Sequence, residues 1–174
     1  YYKWQTFFFI PLGALQTCMV PVVSFNYAAR RLDRCRETLK VSLLWGLALM
    51  FLGLLCFEFL PGPMLRVFSR DELVISIGSY GFHWIGLSFL PPVTSLIFPV
   101  FFQAVGYAWR SSLLTLLRTV VLFVPLGWLL SRLGLHAFWL TFPVTETVTS
   151  LVGGLFYRQF LRREGGLPHP AAEG

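Results

Sequence analysis

Apolar residues dominate five long stretches of this chain, at Phe7 to Phe25, Val41 to Leu60, Tyr80 to Val105, Leu113 to Leu130 and Ala137 to Phe156. A hydrocarbon core of roughly 30 Å is crossed by about 20 helical residues rising about 1.5 Å each, and every stretch is of that order. Barrel strands are much shorter and alternate apolar with polar positions, so the uninterrupted run around Leu43, Leu44 and Trp45 through Leu54 and Leu55 predicts helix instead. The expected fold class is an all-α integral membrane protein with five transmembrane helices. The bundle is expected over residues 1–163 and a disordered tail over 164–174, where Pro168, Pro170 and glycines leave too little apolar content to fold.

Proline punctuates the pattern. Pro11 and Pro21 fall in the first run, Pro91, Pro92 and Pro99 in the third, Pro125 in the fourth and Pro143 in the fifth. Each removes a backbone donor and frees a carbonyl one turn earlier, which lipid cannot satisfy. Kinks are therefore expected at Pro21, Pro91, Pro92, Pro99, Pro125 and Pro143, facing protein or a wet cavity. Broken helices of this kind occur at solute sites in transporters and equally as structural bends. The second run lacks proline and predicts a lipid-facing scaffold helix. Pro61-Gly62-Pro63 predicts its end, Ser69 with Glu72 a capping box that opens the next helix, and Asn26 to Glu37 a charged helical connector. Small residues one turn apart, Ser42 with Gly46 and Gly127 with Ser131, predict close helix approach.

Charge gives the pattern a direction. The chain is 56% apolar and 13% charged with a net charge of +6, and the cations lie at the edges of the runs, which argues against a nucleic-acid surface. Ten Lys and Arg fall on one side, from Arg30, Arg31, Arg34, Arg36 and Lys40 through Arg110 and Arg118 to Arg158, Arg162 and Arg163. The other side holds four, Lys3, Arg66, Arg70 and Arg132. The positive-inside rule then places the Asn26 to Lys40 loop and the C-terminus in the cytoplasm and the amino end outside. An outward amino end without an initiator Met suggests a piece of a longer protein. The expected location is a bacterial cell membrane, and the lipid bilayer is the expected solvent.

No catalytic signature is present: no GxSxG elbow, HExxH, P-loop or pair of carboxylates at helical spacing within a run. The reading is a non-enzyme without a bound cofactor. Cys18, Cys35 and Cys56, like His83, His136 and His169, are too scattered to form a metal site by spacing. Glu146 is the most informative ionisable residue. It lies ~14 Å from either end of its predicted helix, near the bilayer midplane. An ionised side chain there costs about 3 kcal/mol, and neutralising a carboxylic acid at neutral pH costs roughly 3.7 kcal/mol. The near balance admits a switch driven by a proton, sodium or a cationic solute, or a protonated Glu bonded to a neighbouring helix. Arg118, predicted ~8 Å deep, is expected to snorkel to the cytoplasmic surface or else to serve the pathway. His83 near an outer helix end either titrates or bonds water. Gln103 and Asn26 close inward-running helices, as caps or as gate residues. The aromatic load suits interfacial belts or a cage for organic cations.

Four segments resemble the multidrug and toxic compound extrusion family. They are Pro21-Val22-Val23-Ser24-Phe25-Asn26-Tyr27-Ala28-Ala29; Val67-Phe68-Ser69-Arg70-Asp71 through Gly78; Phe101-Phe102-Gln103-Ala104-Val105-Gly106 with Ser111 and Leu116-Leu117-Arg118; and Gly134-Leu135 with Trp139 and Phe142-Pro143-Val144-Thr145-Glu146. The register implies helices eight to twelve of a twelve-helix, two-lobe antiporter, the carboxy-terminal lobe without its first helix. The resemblance also implies exchange of protons or sodium for amphipathic, often cationic compounds by alternating access, with the amino-terminal lobe as partner. Val20, Ala28, Thr119 and Glu146 depart from the family pattern, Glu146 keeping the charge of the Asp it replaces. The tenth helix lacks the carboxylate that sodium-coupled members use and offers only His83, Ser88, Thr94 and Ser95, which argues against sodium coupling through this lobe and leaves the amino-terminal lobe as the place for a proton site. A flippase for lipid-linked saccharides and a non-transporting membrane scaffold are the alternatives.

Overall fold

The computed structural model describes residues 2–67, 86, 89–132, 134, 138 and 140–164. Among them the fold is all helical: α1 (Tyr2–Ala28), α2 (Leu32–Phe59), α3 (Pro61–Arg66), α4 (Pro91–Ala104), α5 (Ala108–Leu116), a π-helical segment (Leu117–Leu122), α6 (Phe123–Ser131) and α7 (Thr141–Glu164). Three helical stretches are long and apolar enough to cross a membrane, Thr6–Ala28, Leu32–Phe59 and the continuous α5–π–α6 rod Ala108–Ser131, and Pro91–Ala104 is a shorter apolar helix. The chain is a multi-pass membrane protein. Phe25, Leu44, Trp45, Phe51, Trp109 and Trp128 stand exposed along the spans, as side chains in contact with lipid should.

α4 is the axis of the fold, packing on α1, α2, α5 and α7. Its buried residues include Val93, Ser95, Ile97, Phe98, Phe101 and Phe102. Two glycines bring neighbours onto it. A Cβ on Gly46 of α2 would stand 2.8 Å from Val93 Cγ1, and one on Gly153 of α7 would stand 2.7 Å from Phe98 Cδ2. Neither helix could approach so closely with a larger residue. Of the small pairs expected to permit close approach, Gly46 does so, whereas Gly127 meets Phe138 and Thr141 only at ordinary contact distance.

The prolines act less uniformly than expected. α1 and α4 run on through Pro11, Pro21 and Pro99. Pro91 and Pro92 begin α4 after the bend at Phe89 and Leu90, where a missing N–H is harmless, and Pro143 lies in the first turn of α7. Pro125 has the largest local effect. It has no N–H to give to the turn before it, and that turn widens into the π segment.

The connector after α1 is a tight turn rather than a helix, with Asp33 to Glu37 already inside α2. Arg31 N donates to Asn26 O and Arg30 N to Tyr27 O, with Arg30 left-handed at φ 57. α4 ends in the same way: Tyr107 N donates to Phe102 O and Gly106 N to Gln103 O, with Gly106 at φ 81. Both are Schellman closures, and they satisfy carbonyls that lipid would leave bare. Pro61 to Pro63 end α2 and also start the short helix α3. The capping box at Ser69 lies outside the described residues. α7 runs through Glu164, the expected start of the tail, and residues 165–174 lie outside the described residues.

Candidate functional site

α7 is amphipathic in the sense opposite to a soluble helix. Its buried residues are mostly polar or small, Thr141, Thr145, Glu146, Thr149 and Gly153, recurring at helical spacing along one stripe. In lipid the polar stripe turns inward because only protein can satisfy it. It packs on α4 and on the α5–π–α6 rod.

At its centre Glu146 accepts three hydrogen bonds from one guanidinium. Arg118 Nε donates to Oε1 at 2.8 Å and to Oε2 at 3.0 Å, and Nη2 donates to Oε1 at 2.6 Å. Ser95 Oγ of α4 lies against Oε2. Its single hydroxyl proton has a second acceptor in Pro92 O at 3.2 Å. Three elements, α4, the π segment and α7, thus converge on one carboxylate. The pair is unequally buried, with side-chain exposures of 27% for Arg118 and 10% for Glu146.

A neutral cluster continues from it. Thr94 Oγ1 and Ser150 Oγ share a hydrogen at 2.6 Å, Ser150 Oγ reaches Glu146 O at 2.7 Å and Pro91 O at 3.2 Å, and Thr94 Oγ1 reaches Pro91 O at 3.0 Å. Ser150 and Thr94 therefore occupy a carbonyl at the proline-led start of α4. Among the described residues, the hydroxyls of Thr141 and Thr145, on the same buried stripe, have no hydrogen-bond partner.

The expectation that Arg118 reaches back to the cytoplasmic surface is corrected by this geometry. The helix begins at Ala108 rather than Leu113, so Arg118 lies ten residues in and thirteen from Ser131. That is ~15 Å of rise, beyond easy snorkelling, and a carboxylate on the next helix is the nearer partner. Arg110 at the same helix start marks the depth. Its guanidinium sits over Tyr107, Phe102 and Phe156 at 5.1, 5.8 and 5.7 Å and donates to Phe156 O. Glu146 is ten residues, ~15 Å, from Phe156 but only five, ~8 Å, from the start of α7 at Thr141, so it is not equidistant from the ends of its helix as expected.

Of the remaining expected site residues, Asn26 and Gln103 do not join this centre. Asn26 and Gln103 lie at the arginine-rich ends of α1 and α4. Asn26 Nδ2 donates to Val22 O of its own helix at 2.8 Å, and the Gln103 side chain is exposed. Ser24 Oγ, not either amide, caps the Ala104 carbonyl across the helices at 2.9 Å. His83 lies outside the described residues. At the same end Tyr27 and Tyr107 hydroxyls donate to Glu164 Oε1 at 3.3 and 2.9 Å. This bond, with burial and the charge of Glu164, raises the Tyr107 pKa above the ordinary tyrosine value. Ser95, Thr94 and Ser150 went unassigned as site residues in the sequence. Only the four-residue step from Glu146 to Ser150 hinted that Ser150 shares its face.

The fold has close counterparts among solved structures. An outward-facing multidrug resistance MATE family transporter of the MOP superfamily superposes with TM-score 0.87 at 15% identity, over 95% of this chain and 38% of that one. A MOP superfamily transporter from Pyrococcus furiosus, described by the reverse polarity of its binding pocket, gives 0.84 at 17%, over 95% and 38%. The MATE multidrug transporter DinF-BH gives 0.83 at 22%, over 91% and 36%. The chain spans less than two fifths of the length of each. No curated protein sequence matches it. The MatE family pattern matches residues 3–129, which takes in α1 through α6 and the Arg118 side of the ion pair, and the chain belongs to the MatE family.

Proposed function

We propose that this chain is the carboxy-terminal lobe, helices eight to twelve, of a cation-coupled antiporter in a bacterial cell membrane. The complete protein exports amphipathic, often cationic compounds by alternating access, with an amino-terminal lobe closing the other side of the cavity. Family membership supports the transport class, and two of the similar solved structures are described as multidrug transporters. The observation that carries the coupling role is the ion pair of Arg118 with Glu146, held between three helices, with Arg118 ~15 Å along its rod from Ala108.

A buried ionic contact between helices has two discrete states, made and broken, which an alternating-access cycle needs at a helix joint. Neutralising Glu146 removes the attraction and leaves Arg118 with a permanent charge and no carboxylate partner. Intramembrane ionisable pairs commonly mark ion pathways. The test uses the complete protein in vesicles, following efflux of a fluorescent organic cation with and without an imposed proton or sodium gradient. Glu146→Gln is expected to lower gradient-driven efflux at least ~10-fold, about 1.4 kcal/mol of coupling, while membrane insertion is retained. Unchanged drug resistance in cells carrying that variant, from mildly acidic to mildly alkaline medium, refutes the role.

A further inference from the structure

We propose that Arg118 sets the ion selectivity of this lobe: its guanidinium is a tethered cation that fills the carboxylate of Glu146, so the site admits a proton and excludes sodium. The inference deepens the antiporter reading and rests on it for its meaning in transport, although its test reads ion binding alone.

The geometry leaves a free metal cation little to bind. Both carboxylate oxygens already accept guanidinium hydrogens, at 2.6, 2.8 and 3.0 Å, and Oε2 also faces Ser95 Oγ. A sodium ion needs several oxygens at once and would have to evict a cation of equal charge. The evicted guanidinium has nowhere to go within the described bundle. The π segment packs on α5, α6 and α7; α5 and α6 contain no acidic residue, and α7 contains only Glu146 and Glu164. Glu164 is ~27 Å farther along the helix and is engaged by Tyr27 and Tyr107. α4 carries no charged or titratable side chain at all. The nearest other groups of that kind on these elements are Arg110, bound over aromatic rings, and Tyr157, eleven residues beyond Glu146.

A proton acts differently. Taken from water, it bonds to one carboxylate oxygen through a lone pair that had faced Arg118. The guanidinium keeps its own hydrogens and stays bonded to the oxygen left unprotonated, so no cation is evicted. Nothing else is transferred, and return of the proton to water restores the pair. Arg118 is the more exposed of the pair and is mounted on a π segment, a helix form that recurs at functional sites. Ser95 stays beside the carboxyl in either state, able to donate to it or to accept from it.

The experiment measures radioactive sodium binding to the complete purified protein and to its Glu146→Gln, Arg118→Ala and double variants. Wild type and Glu146→Gln are expected to bind sodium alike, whatever other sites the protein has. Arg118→Ala is expected to gain a saturable site that disappears in the double variant. Sodium binding by the wild type that Glu146→Gln abolishes overturns the proposal, and so does a folded Arg118→Ala that gains no site. If Arg118→Ala does not fold, the wild type against Glu146→Gln comparison decides. Millimolar methylguanidinium provides a second readout, expected to raise the unfolding temperature of Arg118→Ala and not of the double variant. Loss of all efflux in vesicles would sink the antiporter reading and leave these binding results standing.

Discussion

Arg118 and Glu146 are bound so closely that neither can be judged alone. A charge stranded by loss of its partner within protein costs about 3–5 kcal/mol when fully buried, and the partial exposure of Arg118 brings the figure to the lower end. Arg118→Ala and Glu146→Ala are each expected to lower the unfolding temperature of the detergent-solubilised protein. The double variant is expected to lose less than the sum, with a coupling of about 1–3 kcal/mol. Strict additivity would mean that the contact contributes nothing. At this scale the sequence was half informative. Glu146 stood out because a carboxylate within an apolar run has few reasons to exist, whereas the partnership with Arg118 was hidden by twenty-eight residues of separation and by a helix that starts five residues earlier than its apolar run. Ser95 stands out in the sequence only as one of the polar residues of the tenth helix, without a partner, since a serine in an apolar helix is equally content with the carbonyl of Pro92.

Helix ends show how far the periodic pattern carries. The long spans were legible because their lengths follow from bilayer thickness, but their closures depend on backbone angles that hydropathy does not record. α1 and α4 finish with the same Schellman geometry, yet one places Arg30 and the other Gly106 at the left-handed position. A side chain there is strained and glycine is not. The two positions should therefore respond with opposite signs. Gly106→Ala is expected to cost about 1 kcal/mol, and Arg30→Gly to gain a few tenths up to about 1 kcal/mol, the flexibility of glycine in the unfolded chain offsetting part of the relief. Unfolding temperatures of the two variants check this, and a loss at both positions would mean that contacts of the Arg30 side chain outweigh its backbone strain. The equivalence also places Asn26 opposite Phe102 rather than Gln103, which explains why the two amides, alike in sequence setting, share no structural role.

For the whole molecule, orientation is the property on which every proposed direction of transport depends. The rod Ala108–Ser131 carries an anchored arginine near each end: Arg110 lies over the Tyr107, Phe102 and Phe156 rings, and Arg132 lies 4.0 Å from the centre of the Trp128 ring. Twenty-two residues separate them, ~33 Å of helix, close to the roughly 30 Å of hydrocarbon between two headgroup layers. Arginine stacked on an aromatic ring suits that boundary, where the ring is half in lipid and the guanidinium stays wet. Both anchors fit a rod that crosses the bilayer once, but they do not say which end faces the cytoplasm. The positive-inside expectation assigns the cytoplasm to the Arg110 end, because Arg30, Arg31, Arg34 and Lys40 share it, and the closures of α1 and α4 meet there through Ser24 and Ala104. In the complete protein with its native cysteines replaced, Ser131→Cys should therefore react with a membrane-impermeant maleimide added to intact cells, whereas Glu37→Cys should react only after permeabilisation. Both positions are exposed on the described surface, so silence at Ser131→Cys with labelling at Glu37→Cys would invert the molecule. Such an inversion would reverse the membrane face from which a proton reaching Glu146 is expected to arrive.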